Sequence, residues 1–234
     1  MLTNDDGVCD RRGNDFYKSS RSRLTRRDLG RFPGETLFDR VARAVCEADC
    51  LPRKELFEAW EVVRRVRKRM RGGRVLDLAC GHGLVAHLML LLDNTSPTAL
   101  GIDHNVPGSA TPLAAAMATA WPRLAGRVTV AQGDLRDVVV GPDDLVVAVH
   151  ACGRLTDAVL DSAIHARARV AVMGCCHDAQ ACDQGSLGGW LDPSIAIDVT
   201  RVARLRHHGY EVYTQRIPET ITPENRLIIA MPQR

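Results

Sequence analysis

The 234-residue sequence predicts an α/β protein, a mostly parallel seven-stranded sheet wound with helices and preceded by two further helices. Three features lead there. Beyond Gly72 and Gly73, short apolar runs alternate with helix-like segments. At VLDLACGHGLVA an apolar run passes through a glycine turn directly into a helix start. The last two apolar runs have no helix between them, so they pair as an antiparallel hairpin at the sheet edge.

Residues 1–31, with RRGNDFYKSSRSRLTRRDLGR as their body, are polar, basic and weakly periodic. They cannot bury enough surface to order themselves, which predicts a flexible basic arm. Residues 32–71 predict a helical extension. Phe38, Val41, Val45 and Ala48 fall at helical spacing within 34–50, and Pro52 starts a second helix in the favoured first turn. In that second helix Leu56, Trp60, Val63, Val66 and Met70 make an apolar stripe, while Arg64, Lys68 and Arg71 line another face. Residues 72–234 hold the sheet domain. Its strands are expected at 74–78, 99–103, 128–132, 145–150 and 169–174, with helices at 84–92, 112–120, 155–166 and 192–208. The hairpin strands are 211–217 and 227–231, joined by PETITPENR.

No apolar run approaches the roughly 18 residues that span a bilayer, and the N-terminus is polar where a signal peptide would be apolar. The expectation is a cytoplasmic protein with no membrane partner. Its eight cysteines are irregularly spaced, and several lie in apolar segments, which predicts free thiols. Charge is divided unevenly. Residues 1–74 carry a net +7 and the remainder −4, so the basic front could face a polyanion such as nucleic acid.

Gly81, Gly83 and Ala86 satisfy a dinucleotide-type glycine pattern, and Asp103 follows 20 residues after Gly83. Asp77, four residues before Gly81, argues against a pyrophosphate ligand, because a carboxylate there would rather hold a cation. The stretch DLACGHG resembles the first motif of the class I S-adenosylmethionine-dependent methyltransferases, with Ala79 in place of the first glycine. That resemblance implies S-adenosylmethionine as cofactor on a Rossmann-like seven-stranded methyltransferase sheet whose last strand is antiparallel. It implies cofactor contacts from Asp77, Ala79, Gly81 and Gly83, from Asp103 to the ribose hydroxyls, and from Asp134 beside the adenine. A carboxylate can accept from two hydroxyls at once, which suits the ribose role.

In open α/β sheets ligands sit at the carboxyl ends of the strands. His150, Cys152, Thr156 and Asp157 after the fourth strand should therefore meet Cys175, Cys176 and His177 after the fifth. The strings H-A-C-G-x-x-T-D and C-C-H resemble a methyltransferase subgroup that includes the eukaryotic tRNA 2′-O-methyltransferases, and Asn225 and Arg226 in ITPENR resemble that subgroup's T-P-x-N-R segment. This implies RNA, in particular tRNA, as substrate, reached across the basic N-terminal region. A small-molecule or protein substrate, or a non-catalytic RNA-binding module, remains open.

His150, Cys152, Cys175, Cys176 and His177 are the candidate catalytic residues, with His150 also facing the cofactor. The cysteines admit three roles: zinc ligands, a nucleophile, or packing. Adjacent Cys175 and Cys176 suit a tetrahedral ion poorly, and no C-x2-C pair exists, so no metal is expected. No partner except a nearby histidine or a helix N-terminus would lower a thiol pKa. A histidine could instead orient or deprotonate an acceptor hydroxyl, since positioning can supply most of the rate. Trp190, in the glycine-rich loop QGSLGGWLDP, could stack on a base or lid the pocket.

Overall fold

The computed structural model describes residues 16–233. Its elements are α1 (Leu37–Ala48), α2 (Arg53–Arg69), β1 (Val75–Leu78), α3 (Leu84–Leu91), β2 (Ala99–Asp103), α4 (Ala110–Ala120), β3 (Val128–Gln132), β4 (Leu145–Ala148), α5 (Arg154–Ala166), β5 (Arg169–Met173), α6 (Pro193–His207), β6 (Tyr210–Arg216) and β7 (Arg226–Pro232). The strands form one sheet in the order β3-β2-β1-β4-β5-β7-β6. Strands β1 to β5 run parallel, and β7 inserts antiparallel between β5 and β6. The hairpin thus builds the sheet edge with β6 outermost.

Period-two alternation gives the sheet two apolar faces. Val75, Leu145, Val147, Ala171 and Met173 pack with α1 to α4, while Leu76, Leu78, Val146, Ala148, Val170 and Val172 pack with α5. Because both faces are covered, the central strands read as continuous apolar runs. Helices α1 and α2 share their core with α3 and β1, so the helical extension is one wall of the sheet domain.

Of the expected basic arm, residues 1–15 lie outside the described residues. From Phe16 onward the chain is packed, contrary to the expectation of a free arm. Leu24 is fully buried and its N–H donates to the Leu51 carbonyl at 2.8 Å. The Phe16 ring meets Phe32 and Phe57 edge-on, with the Arg53 guanidinium 3.7 Å from its centroid. Thr25 and Asp28 close a capping box on the short turn Arg26–Arg31. Three scattered apolar anchors and two hydrogen-bonded turns suffice where no periodic stripe exists.

Helix α2 runs the length of the sheet. Its first turns lie over the carboxyl ends of the strands, whereas its last turn sits at the strand starts. There buried Arg67 pairs with Asp93 at 3.1 Å, and Asp93 also accepts from Gly72 N–H. At 1.5 Å per residue the 17-residue helix separates its two ends by about 25 Å. Among the described residues no helix is long and apolar enough to cross a membrane.

Candidate functional site

A cavity of about 250 Å³ opens at the carboxyl ends of β1, β2 and β4. Gly81, His82, Asp103 and His150 line it, with Leu51, Glu55 and Ala59 closing it from the α2 side. The glycine loop makes this space. Gly81 has φ +51° and a Cβ there would meet nothing within 4 Å, so its backbone faces open cavity. Gly83 has φ +79° and a Cβ would come within 2.5 Å of Val130, which fits the start of α3 close against β3. Gly101 leaves room for the Cys80 thiol, which burial pushes far above its ordinary pKa. Ala79 adopts φ +62°, the left-handed region that a glycine would occupy without strain.

The acidic residues divide into three environments. Asp103 holds the loop and faces the cavity: its Oδ2 accepts from Gly81 N–H at 2.8 Å and its Oδ1 from Asn105 N–H at 2.9 Å. Asp77 lies under the loop, fully buried, with Oδ2 accepting from Ala86 N–H at 3.0 Å in the first turn of α3. Burial pushes its carboxyl up to about 7, the Ala86 hydrogen bond and the His150 charge only partly opposing that. Asp134, expected beside the same ligand, lines a different hollow with Leu100 and Ile102 and is engaged by the Arg136 guanidinium, which holds its carboxyl down at about 2. It sits after β3 as anticipated, but outside the lining of the main cavity.

His150 is the half-exposed histidine of the cavity wall. Its Nε2 lies 3.4 Å from Glu58 Oε2, and Glu58 is 1 % exposed. Lys54 Nζ stands 3.3 Å from the other carboxylate oxygen. Burial alone would raise the Glu58 pKa, but His150 and Lys54 together hold it below the usual value. Sequence reading missed Glu58, because one carboxylate on an amphipathic helix gives no signal of a partner 92 positions away.

The strand-end motifs assemble into two neighbouring groups. Cys152, Cys175 and Cys176 bring their sulfurs together, with Cys152 Sγ 2.9 Å from Cys175 Sγ and 3.3 Å from Cys176 Sγ. Burial and the neighbouring thiols raise the Cys175 pKa, and burial raises that of Cys152. His177 is not in the cavity wall. Its side chain is 4 % exposed, with Nε2 3.0 Å from Asp198 Oδ1 and Nδ1 3.4 Å from Glu224 Oε2. Asp198 also meets Arg226 at 2.7 Å and Arg201 at 3.3 Å, and Arg201 forks onto Asp157 and donates to the Gly153 carbonyl. Asp157, His177 and Arg226, from three separate motifs, are therefore tied together by Asp198 and Arg201 of α6. That pair, at i and i+3, was also missed. Buried Asn225 donates to the Ile217 carbonyl and closes the hairpin. Trp190 is 86 % exposed.

The expected basic face is only partly paired, its cations sharing two carboxylates, Glu61 and Asp93. Arg64 and Arg65 pair with Glu61, Arg67 and Arg71 with Asp93, and Arg69 lies over the Tyr213 ring. This end of α2 is also remote from the cavity. The segment around Ser20 to Arg23 lies closer, since Ser20 and Ser22 carbonyls accept from Lys54 and Arg53 at the start of α2.

A family model described as a methyltransferase domain matches residues 54–182, just over half of the chain and the whole arc from α2 to the cysteine cluster. Among curated proteins none matches the sequence. Among solved structures, an O-methyltransferase family protein from Burkholderia thailandensis aligns with TM-score 0.50 and 19 % identity, covering 90 % of this chain and 63 % of that one. A precorrin-6y C5,15-methyltransferase from Geobacter metallireducens aligns with TM-score 0.47 and 12 % identity, over 75 % and 86 % of the two chains. A Pyrococcus abyssi tRNA (uracil-54, C5)-methyltransferase in complex with S-adenosyl-L-homocysteine gives 0.45 and 16 %, over 75 % and 38 %.

Proposed function

The chain belongs to the methyltransferase-domain family and is an S-adenosylmethionine-dependent methyltransferase, and on that premise we propose that it methylates RNA, with tRNA as the narrower reading. The observation that carries the site is the pairing of Gly81, whose open backbone borders the cavity, with Asp103, whose carboxylate faces it. The residues fit the cofactor. Asp103 retains acceptor capacity for two ribose hydroxyls, and Asp77 places a buried carboxyl below the loop, whose ionised form a cationic ligand would favour. Bound S-adenosylmethionine supplies an activated sulfonium methyl.

His150 is the group that orients the acceptor and takes its proton, because it alone of the two motif histidines lines the cavity and Glu58 steadies its ring. His177 holds the wall through Asp198. RNA rests on the H-A-C-G-x-x-T-D and C-C-H strings and on the basic segment beside the mouth. A second reading, a small or cationic acceptor, is favoured by the exposed acids Asp178, Asp183 and Asp192 that follow β5.

Calorimetry tests the cofactor half: Asp103→Ala should weaken S-adenosylhomocysteine binding by about 2 kcal/mol, the scale of lost hydrogen bonds to a charged acceptor. Undiminished binding would move the site elsewhere. Transfer of labelled methyl from the cofactor to RNA, protein and metabolite pools tests the acceptor, and label confined to metabolites would exclude RNA.

A further inference from the structure

We propose that Cys152, Cys175 and Cys176 form a three-thiolate site for a zinc ion, with the fourth coordination position left to water or to a donor atom of the substrate. Adjacent cysteines are ordinarily a poor pair for one tetrahedral ion. Here the chain turn after β5 directs both side chains to one side, and their sulfurs stand 3.7 Å apart. Sulfurs bound to one zinc at about 2.3 Å lie about 3.8 Å from each other, so this edge of the tetrahedron is already formed. The other two edges, 2.9 and 3.3 Å, need only a small outward turn of the exposed Cys152 side chain. Among the described residues these three form the one group whose soft or charged donor atoms converge in this way.

The surroundings hold the three sulfurs in register. Gly153 N–H donates to the Cys176 carbonyl at 2.9 Å, clipping the loop after β4 to the loop after β5. Three thiolates on zinc carry a net negative charge, and positive partners are in place. Cys152 precedes the N-terminus of α5, and the Arg201 guanidinium sits on the Gly153 carbonyl at 3.0 Å. His177 does not supply the fourth ligand, since both ring nitrogens face carboxylates. Three protein ligands with an open fourth position are the pattern of accessible zinc centres. Cys152 lies two residues beyond His150, which lines the cavity, and the zinc site goes beyond the methyl-transfer reading.

The full chain, reduced and stripped with a chelator, is titrated with cobalt(II) and then zinc. The expected result is one cobalt per chain with a thiolate charge-transfer band, bleached by zinc. Cys152→Ser and Cys176→Ser should each weaken zinc binding at least about tenfold, with metal-free unfolding transitions as the check on folding. Cys182→Ser, a buried thiol outside the group, should leave it unchanged. Without any substitution, zinc should protect Cys152, Cys175 and Cys176 from alkylation. Absence of the thiolate band in reduced protein, its survival in a folded Cys152→Ser variant, or equal alkylation with and without zinc would each overturn the site. Calorimetry with S-adenosylhomocysteine separates this outcome from failure of the methyltransferase reading.

Discussion

At the residue scale, one position in the glycine loop and one in β1 beneath it hold energy that a substitution can release. Ala79 at φ +62° carries a left-handed strain of roughly 1–2 kcal/mol, while a glycine there loses about 0.5–1 kcal/mol of backbone entropy. Ala79→Gly should therefore stabilise the fold by up to about 1 kcal/mol, read from the urea midpoint at constant slope; a lower midpoint would show that the Ala79 methyl contributes packing. Asp77 acts through its proton. Its folded pKa of about 7 exceeds the ordinary 3.8, so the protonated form adds stability below about pH 4 that is lost as pH rises to 7. Asp77→Asn keeps an acceptor for Ala86 N–H and removes the titration. Its stability relative to the unsubstituted, cofactor-free protein should rise between pH 4 and 7. At about 1.4 kcal/mol per pH unit the ceiling is about 4 kcal/mol. A flat difference across that window would mean the carboxyl ionises normally.

At the scale of elements, α2 matters because it reaches from the core to the reacting end of the sheet. Glu58 is buried against His150 and Lys54, so its removal leaves two donors short of an acceptor. The sign is opposite to that of Asp77. A lowered folded pKa adds stability above about 4.5, lost as pH falls through the folded value. Glu58→Gln should destabilise by roughly 1–3 kcal/mol at pH 7, and the difference should shrink toward pH 3 as the native carboxyl protonates. Calorimetric unfolding at the two pH values decides it; an equal loss at both would mean Glu58 acts by shape alone. The elements themselves were legible where periodicity is strong. Strands 99–103 and 128–132 match to the residue, and the helices of the sheet domain match within two. The strands after which motifs follow, 145–150 and 169–174, end earlier because His150 and Gly174 leave the ladder to form loops. Asp103, Gly81 and His150 could be named from spacing. Glu58, Asp198 and Arg201 could not, because their meaning lies in contacts between distant elements.

For the whole molecule, the net +7 of residues 1–74 is offset from outside that segment, among the described residues, only by Asp93, which takes Arg67 and Arg71, and by Asp144, which takes Arg74. These pairs lie at the strand starts, about 25 Å of helix away from the cavity. Closer to the mouth, Arg23 and Arg26 make exposed pairs with Asp49 and Glu47, of the kind that yields readily to a stronger anion. Arg21 and Arg27 are exposed and have no ion pair among the described residues. If RNA reaches the site across this front, these two guanidiniums take phosphates. Arg21→Glu with Arg27→Glu should lower RNA affinity and flatten the slope of log K against log salt by roughly 2, close to one for each phosphate no longer neutralised. Arg64→Glu with Lys68→Glu, an equal charge change at the far end of α2, should alter neither beyond the general loss of net charge. Filter binding over a salt series reads both pairs. Equal losses would mean that only net charge is sensed, and an unchanged first pair would turn the acceptor reading toward the acidic rim after β5 and a small or cationic substrate.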